Sequence, residues 1–183
     1  MYQPRGEPIV FNRDCRAVVV PAGDEGTIPQ GAEGVITQAL GGSFTVYIQG
    51  NLFRIDGVDG DAIGREAVKP PELPEGATDE DVEKLVWDQM HTCYDPEIPI
   101  DIVELGLVYS CKIIPLENGQ RDVEVEMTLT APGCGMGEVL CMDVKHKVEL
   151  IPTIREARVE LVFDPPWSAH MMSEAAKLQT GML

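Results

Sequence analysis

Residues 122–137, DVEVEMTLTAPGCGMG, decide how this chain is read. Val123, Val125, Met127 and Leu129 alternate with Glu124, Glu126, Thr128 and Thr130, the two-residue period of a half-buried strand. From Gly137 the period lengthens, and Leu140, Cys141, Val144 and Val148 recur at helical spacing. The pattern predicts a strand at 122–130 that turns into a helix over 135–149. Cys134 falls in or just before the first helical turn, among free backbone N–H groups and the positive end of the helix dipole. A thiol held there has a lowered pKa and presents a thiolate that attacks an electrophile or binds a soft metal. Gly133 and Gly135 keep bulk away from the sulfur and let the backbone approach a ligand closely. The plainer reading is a glycine-rich connection with an inert buried thiol, and the stretch alone supports both.

Outward from that stretch, the chain resolves into a second domain and what precedes it. KPPELPEGAT, residues 69–78, reads as a proline-rich linker. Thr78 is placed as the N-cap of a helix whose first turn holds Asp79, Glu80 and Asp81, with Val82, Leu85, Val86, Met90 and Cys93 as its apolar stripe. Leu107, Tyr109, Cys111 and Ile113 are expected on one face of the next strand, and Val159, Leu161 and Phe163 on the inner face of a strand at 158–163. Ser168 is expected to cap a final helix ending near Gly181. The order is α-β-β-α-β-α, a mixed α/β sandwich over 79–183.

Residues 1–68 read instead as a small antiparallel β domain, barrel-like in its closure. Its runs are CRAVVV (15–20), GVITQAL (34–40), SFTVYIQ (43–49) and NLFRID (51–56), with Gly41-Gly42 and Gly50-Asn51 as two-residue turns. AGDEGTIPQGAEG is read as a loop. Cys15, beside Arg13, Asp14 and Arg16, is a structural thiol, and no loop carries the GKS/T ending of a phosphate loop. The fold class is therefore α+β.

Charge narrows the partners. Fourteen Lys and Arg stand against 31 Asp and Glu, a net charge of −17. Residues 69–183 hold 22 of the acidic side chains and nine of the basic ones. That balance argues against nucleic-acid backbones and anionic membrane surfaces as partners. No apolar run approaches the roughly 20 residues that span a bilayer. MYQPRGEPIVFNRD has no apolar h-region, and five irregularly spaced cysteines suggest reduced thiols, so the expected compartment is the cytoplasm.

A second motif lies in HTCYDPEIPIDIVELGLVY, residues 91–109. The Pro96 ring biases Asp95 away from helical geometry and fixes an extended turn that presents Asp95 and Glu97. Such a turn is either a rigid helix exit or a way of bringing an oxygen ligand toward Cys134. His91 and Cys93 are two apart in a helix and point to different faces, so they are set aside as a ligand pair with Asp95.

Asp95-Pro96-Glu97-Ile98-Pro99, Glu104-Leu105-Gly106-Leu107-Val108-Tyr109, Thr128–Gly137 and Asp164-Pro165-Pro166-Trp167-Ser168, in this order, resemble the SufT proteins. These are iron–sulfur maturation factors whose C-terminal domain is shared with PaaD and a eukaryotic cytosolic iron–sulfur targeting subunit. Gln38–Ser43 and Phe53–Gly64 extend the resemblance into the first domain. The resemblance implies a noncatalytic factor that assembles clusters or delivers them to client apoproteins. It implies Cys134 as the reactive cysteine and metal ligand, with Asp95, Pro96 and Glu97 in the turn beside it. It also implies that Gly133 and Gly135 belong to the cluster-binding loop. Cys93, Cys111 and Cys141 take no such role, and Cys141 is read as core.

Clusters usually need several thiolates, often four, and this chain offers one well-placed cysteine. The cluster is then transient, bridged between two chains of a homodimer, shared with the assembly machinery or a client, or absent altogether. Two alternatives stand beside it: a thiol enzyme with Cys134 as nucleophile, and a metal-free scaffold docking clients through Trp167, Met171 and Met172.

Overall fold

In the computed structural model, residues 5–95, 98–133 and 135–182 are described. The chain divides into two compact units, Met1–Pro70 and Pro71–Leu183. Among the described residues no helix is long and apolar enough to cross a membrane.

Two glycine turns organise the first unit. Gly41 (φ 62°) and Gly42 (φ 71°) join β4 (Glu33–Leu40) to β5 (Ser43–Ile48), and positive φ at both positions is the hairpin geometry that matches strand twist. The next turn is Gln49 (φ 47°) and Gly50 (φ 95°), not Gly50-Asn51 as the sequence suggested, because Asn51 already pairs with Ile48 as the first residue of β6 (Asn51–Asp56). With β1 (Glu7–Val10), β2 (Cys15–Val20) and β3 (Glu25–Ile28), these strands form one sheet in the order β1-β4-β5-β6-β2-β3, every neighbour antiparallel. Its ladders leave β1 and β3 as edges, so barrel-like closure is not part of the observed pairing. Phe11, Val46 and Ile55 are fully buried, and each contributes about 1.5–3 kcal/mol by leaving water. The guanidinium of Arg13 donates to both carboxylate oxygens of Asp61 (2.8 and 2.6 Å) and to Asp59 (2.9 Å), holding the 3-10 turn Gly57–Ile63 in place.

The second unit begins with α1 (Asp79–Met90). Thr78 caps it as expected: its hydroxyl accepts from Asp81 N–H, and the Asp81 carboxylate accepts from Thr78 N–H. Val82, Val86 and Met90 enter the core. A three-stranded sheet follows in the order β7 (Val108–Pro115), β8 (Arg121–Met127), β9 (Ile154–Leu161). β7 is antiparallel to β8, and β9 is parallel to it, so α2 (Gly137–Glu149) serves as the crossover that a parallel pair requires. α1 and α2 pack on each other, α1 on β7 and α2 on β9. The α-β-β-α-β-α order expected from the sequence is the observed one.

Three details differ. The ladder between β7 and β8 is bulged between Val108 and Ser110, so Val108 rather than Tyr109 lines up with Cys111 and Ile113 on the core face. Tyr109 Oη instead donates to Pro165 O at 2.8 Å. β9 starts at Ile154 and ends at Leu161, leaving Phe163 47% exposed rather than inward. The last helix, α3 (Glu174–Thr180), is capped by Ser173, whose Oγ accepts from Ala176 N–H, and not by Ser168; Gly181 ends it in the left-handed region.

Candidate functional site

The cysteine loop is anchored at both ends. On the strand side, Thr128 N–H donates to Leu107 O at 2.8 Å, tying the loop to the segment that leads out of the DPEIP turn. Thr128 is 1% exposed, and among the described residues its Oγ1 meets no hydrogen-bond partner. On the helix side, Gly137 packs closely enough on the sheet that a Cβ there would meet Leu129 Cδ1 at 2.9 Å and Leu161 Cδ1 at 3.2 Å, so those leucine side chains would have to shift. Gly133 has φ +78°, and Gly135 is exposed like it. Cys134 lies outside the described residues.

The DPEIP turn is anchored as well. Asp95 is 4% exposed, and its Oδ1 accepts from Ile98 N–H at 2.9 Å, closing a side-chain-to-backbone turn. Tyr94 bridges to Asp101, and Ile102 N–H donates to Cys93 O at 2.9 Å, so the segment folds back beside the end of α1. Pro96 and Glu97 lie outside the described residues, and with them the expected approach of Asp95 and Glu97 to Cys134. The far side of the turn is fastened by the C-terminal segment: Trp167 Nε1 donates to Leu105 O at 2.7 Å. At Gly106 (φ +73°) a Cβ would meet Met171 O at 2.2 Å.

α2 supplies the support that the sequence reading passed over. Lys147 Nζ donates to Thr92 O at 2.7 Å, three residues before Asp95, and lies 3.5 Å from Asp143 Oδ2 in a pair that is almost fully buried. Gln89 Nε2 donates to Lys147 O at 2.7 Å. The signal was present: Asp143 and Lys147 are four apart and flank Val144 and Val148 on the apolar stripe.

The four described cysteines take structural places, as expected for Cys15, Cys111 and Cys141. Cys15 and Cys93 are buried in the two cores, and Cys111 and Cys141 pack against the second. Burial pushes the thiols of Cys15, Cys111 and Cys141 up to about 11, which keeps them protonated near neutrality.

One grouping was missed. His91, set aside above with Cys93, ends α1 and meets Asp101 and Glu104, which follow the turn. The three are ten and three residues apart in sequence, and it is the Tyr94–Asp101 bridge that brings them together.

Comparison with known proteins places this unit. Residues 83–161, from within α1 to the end of β9, match the family model described as iron–sulfur cluster assembly protein. The chain is 38% identical over 106 residues to an Fe–S protein maturation auxiliary factor of Porphyromonas gingivalis, covering 58% of this chain and 93% of that protein. It is 42% identical over 88 residues to the Fe–S protein maturation auxiliary factor SufT of Staphylococcus aureus, covering 48% of this chain and 96% of that one. A crystal structure of a domain of unknown function, DUF59, from Bacillus anthracis aligns with a TM-score of 0.48 at 36% identity, over 57% of this chain and 95% of that chain. These matches stop short of the whole-chain resemblance expected from Gln38–Ser43 and Phe53–Gly64. The two maturation factors are nevertheless matched over 93% and 96% of their lengths, and on that ground the chain belongs to the iron–sulfur cluster assembly protein family as a SufT-type Fe–S maturation protein.

Proposed function

We propose that the chain acts in iron–sulfur maturation as a noncatalytic factor that holds a cluster transiently through Cys134 and releases it to client apoproteins. The observation that carries the reading is the division among the cysteines. Cys15, Cys93, Cys111 and Cys141 are committed to packing, and three of them are held as thiols. In sequence Cys134 lies between β8 and α2, three positions before the helix, and ahead of it Thr128 N–H is bonded to Leu107 O. A single protein thiolate leaves the other positions of a cluster to a second chain or to a carrier, and such a site favours release over storage. Asp95 and Glu97 act beside it as oxygen acceptors, and Gly133 and Gly135 leave room for the cluster. The factor works in the cytoplasm with the assembly machinery, as a dimer when a cluster is bridged.

Of the three residues in the scaffold alternative, Met172 is buried, Trp167 is partly buried with its Nε1 bonded to Leu105 O, and Met171 is exposed, so that alternative is separated from the carrier by experiment. The deciding experiment follows transfer: a reconstituted chain is mixed with a [4Fe–4S]-dependent apoenzyme, and client activity is read over time. Wild type activates the client and Cys134→Ser does not. Equal activation by both would discard the thiolate carrier in favour of an adaptor.

A further inference from the structure

The turn after α1 also carries side chains that cluster transfer does not use. His91, Asp101 and Glu104 each offer one ligand atom, and these atoms all lie within 4.8 Å of one another. We propose that they form a binding site for a divalent first-row transition cation, held by one imidazole nitrogen and two carboxylate oxygens, with water completing its coordination.

The donor set comes first. One nitrogen and two oxygens without a thiolate suit Zn2+, Fe2+ or Mn2+, and do not suit Cu+ or a cluster. The lone pairs are available. Among the described residues, every hydrogen bond to the Asp101 carboxylate falls on Oδ1, from Val103 N–H and Glu104 N–H at 3.0 Å each, with His91 Nδ1 3.2 Å away. Asp101 Oδ2 is therefore uncommitted. Glu104 Oε2 accepts from Ser173 Oγ, which leaves Oε1. These bonds also orient both carboxylates as outer partners orient metal ligands.

The electrostatics point the same way. His91 is the C-cap of α1, where the terminal carbonyls favour positive charge, and the last turn of α1 holds no basic residue to supply it. No lysine or arginine among the described residues pairs with Asp101 or Glu104. Ligands on a tetrahedral Zn2+ at 2.0–2.2 Å lie roughly 3.4 Å apart, so any pair near the 4.8 Å limit has to close by about 1.4 Å on binding. His91 can supply that movement, because its side chain is 42% exposed.

Mn2+ is the probe of choice, since it prefers oxygen and imidazole and does not compete for thiolates. The full chain is titrated with Mn2+, and the free-ion electron paramagnetic resonance signal is read. Wild type and Cys134→Ser are expected to bind one ion with the same affinity. His91→Ala and Glu104→Gln should each weaken it by about 10-fold or more. Glu104→Gln keeps an acceptor for Ser173, and thermal unfolding identifies any variant that has lost its fold. Absence of a stoichiometric ion in wild type, or equal binding by both ligand variants, would overturn the site. Loss of binding in Cys134→Ser would assign the ion to the thiol and overturn it equally.

Discussion

Each unit of this protein builds an ion-pair network, and the two networks differ in what surrounds them. In the first unit Arg13 grips Asp59 and Asp61 at the surface, its side chain 41% exposed. In the second, Lys147 reaches Asp143 and the carbonyl of Thr92 with both charged side chains nearly dry. The same chemistry therefore does different work. The exposed network trims a turn in a sheet already held by its hairpins. The buried one fastens α2 to the chain just ahead of the DPEIP turn. The lesson is that the unit with the family's motifs is also the one that spends desolvated charge on its framework.

The sharpest way to break this comparison is Lys147→Met, which removes the buried cation beside Asp143 and the donor to the Thr92 carbonyl. We expect a loss of about 3–5 kcal/mol in the second unit, read by denaturant unfolding. A loss no greater than that of an exposed pair would erase the distinction.

Alkaline pH is the next probe. Burial raises Cys15 in the first unit, and Cys111 and Cys141 in the second, from 9.0 to about 11. The unfolded chain gives up these protons near its ordinary thiol pKa, so stability is intact below about pH 9 and falls as pH rises through 9–11. Two such thiols against one should make the second unit's melting temperature fall faster over that window.

Thr78→Ala removes one half of the α1 capping box and should cost about 1 kcal/mol, again confined to the second unit. Arg13→Gln should have the least effect. Arg13 holds Asp61 below the usual carboxylate range, so the contribution is present above that range and fades as pH falls through the lowered pKa. It should also shrink in high salt.

How far the sequence could be read depends on where each element gets its support. β2 and β6 follow from β-branched and alternating runs, and α1 from Thr78 and its acidic first turn. β1 and β3 are four-residue edges carrying Pro8 and Gly26, without alternation, and exist because β4 and β2 pair with them. β9 begins at Ile154 because it pairs in parallel with β8 from Arg121 onward, a tertiary cause that the local pattern does not contain. The cysteine loop and the DPEIP turn were visible as motifs. The grouping of His91 with Asp101 and Glu104 was not, since only the folded turn puts them together.

The central claim is that Cys134 is the cluster ligand. Its most direct test is anaerobic reconstitution of wild type and Cys134→Ala with iron and sulfide, reading the visible spectrum, iron and sulfide content, and mass in solution. The account predicts a chromophore with matched iron and sulfide on a wild-type dimer, and neither on the variant. A cluster of equal occupancy on Cys134→Ala would contradict it.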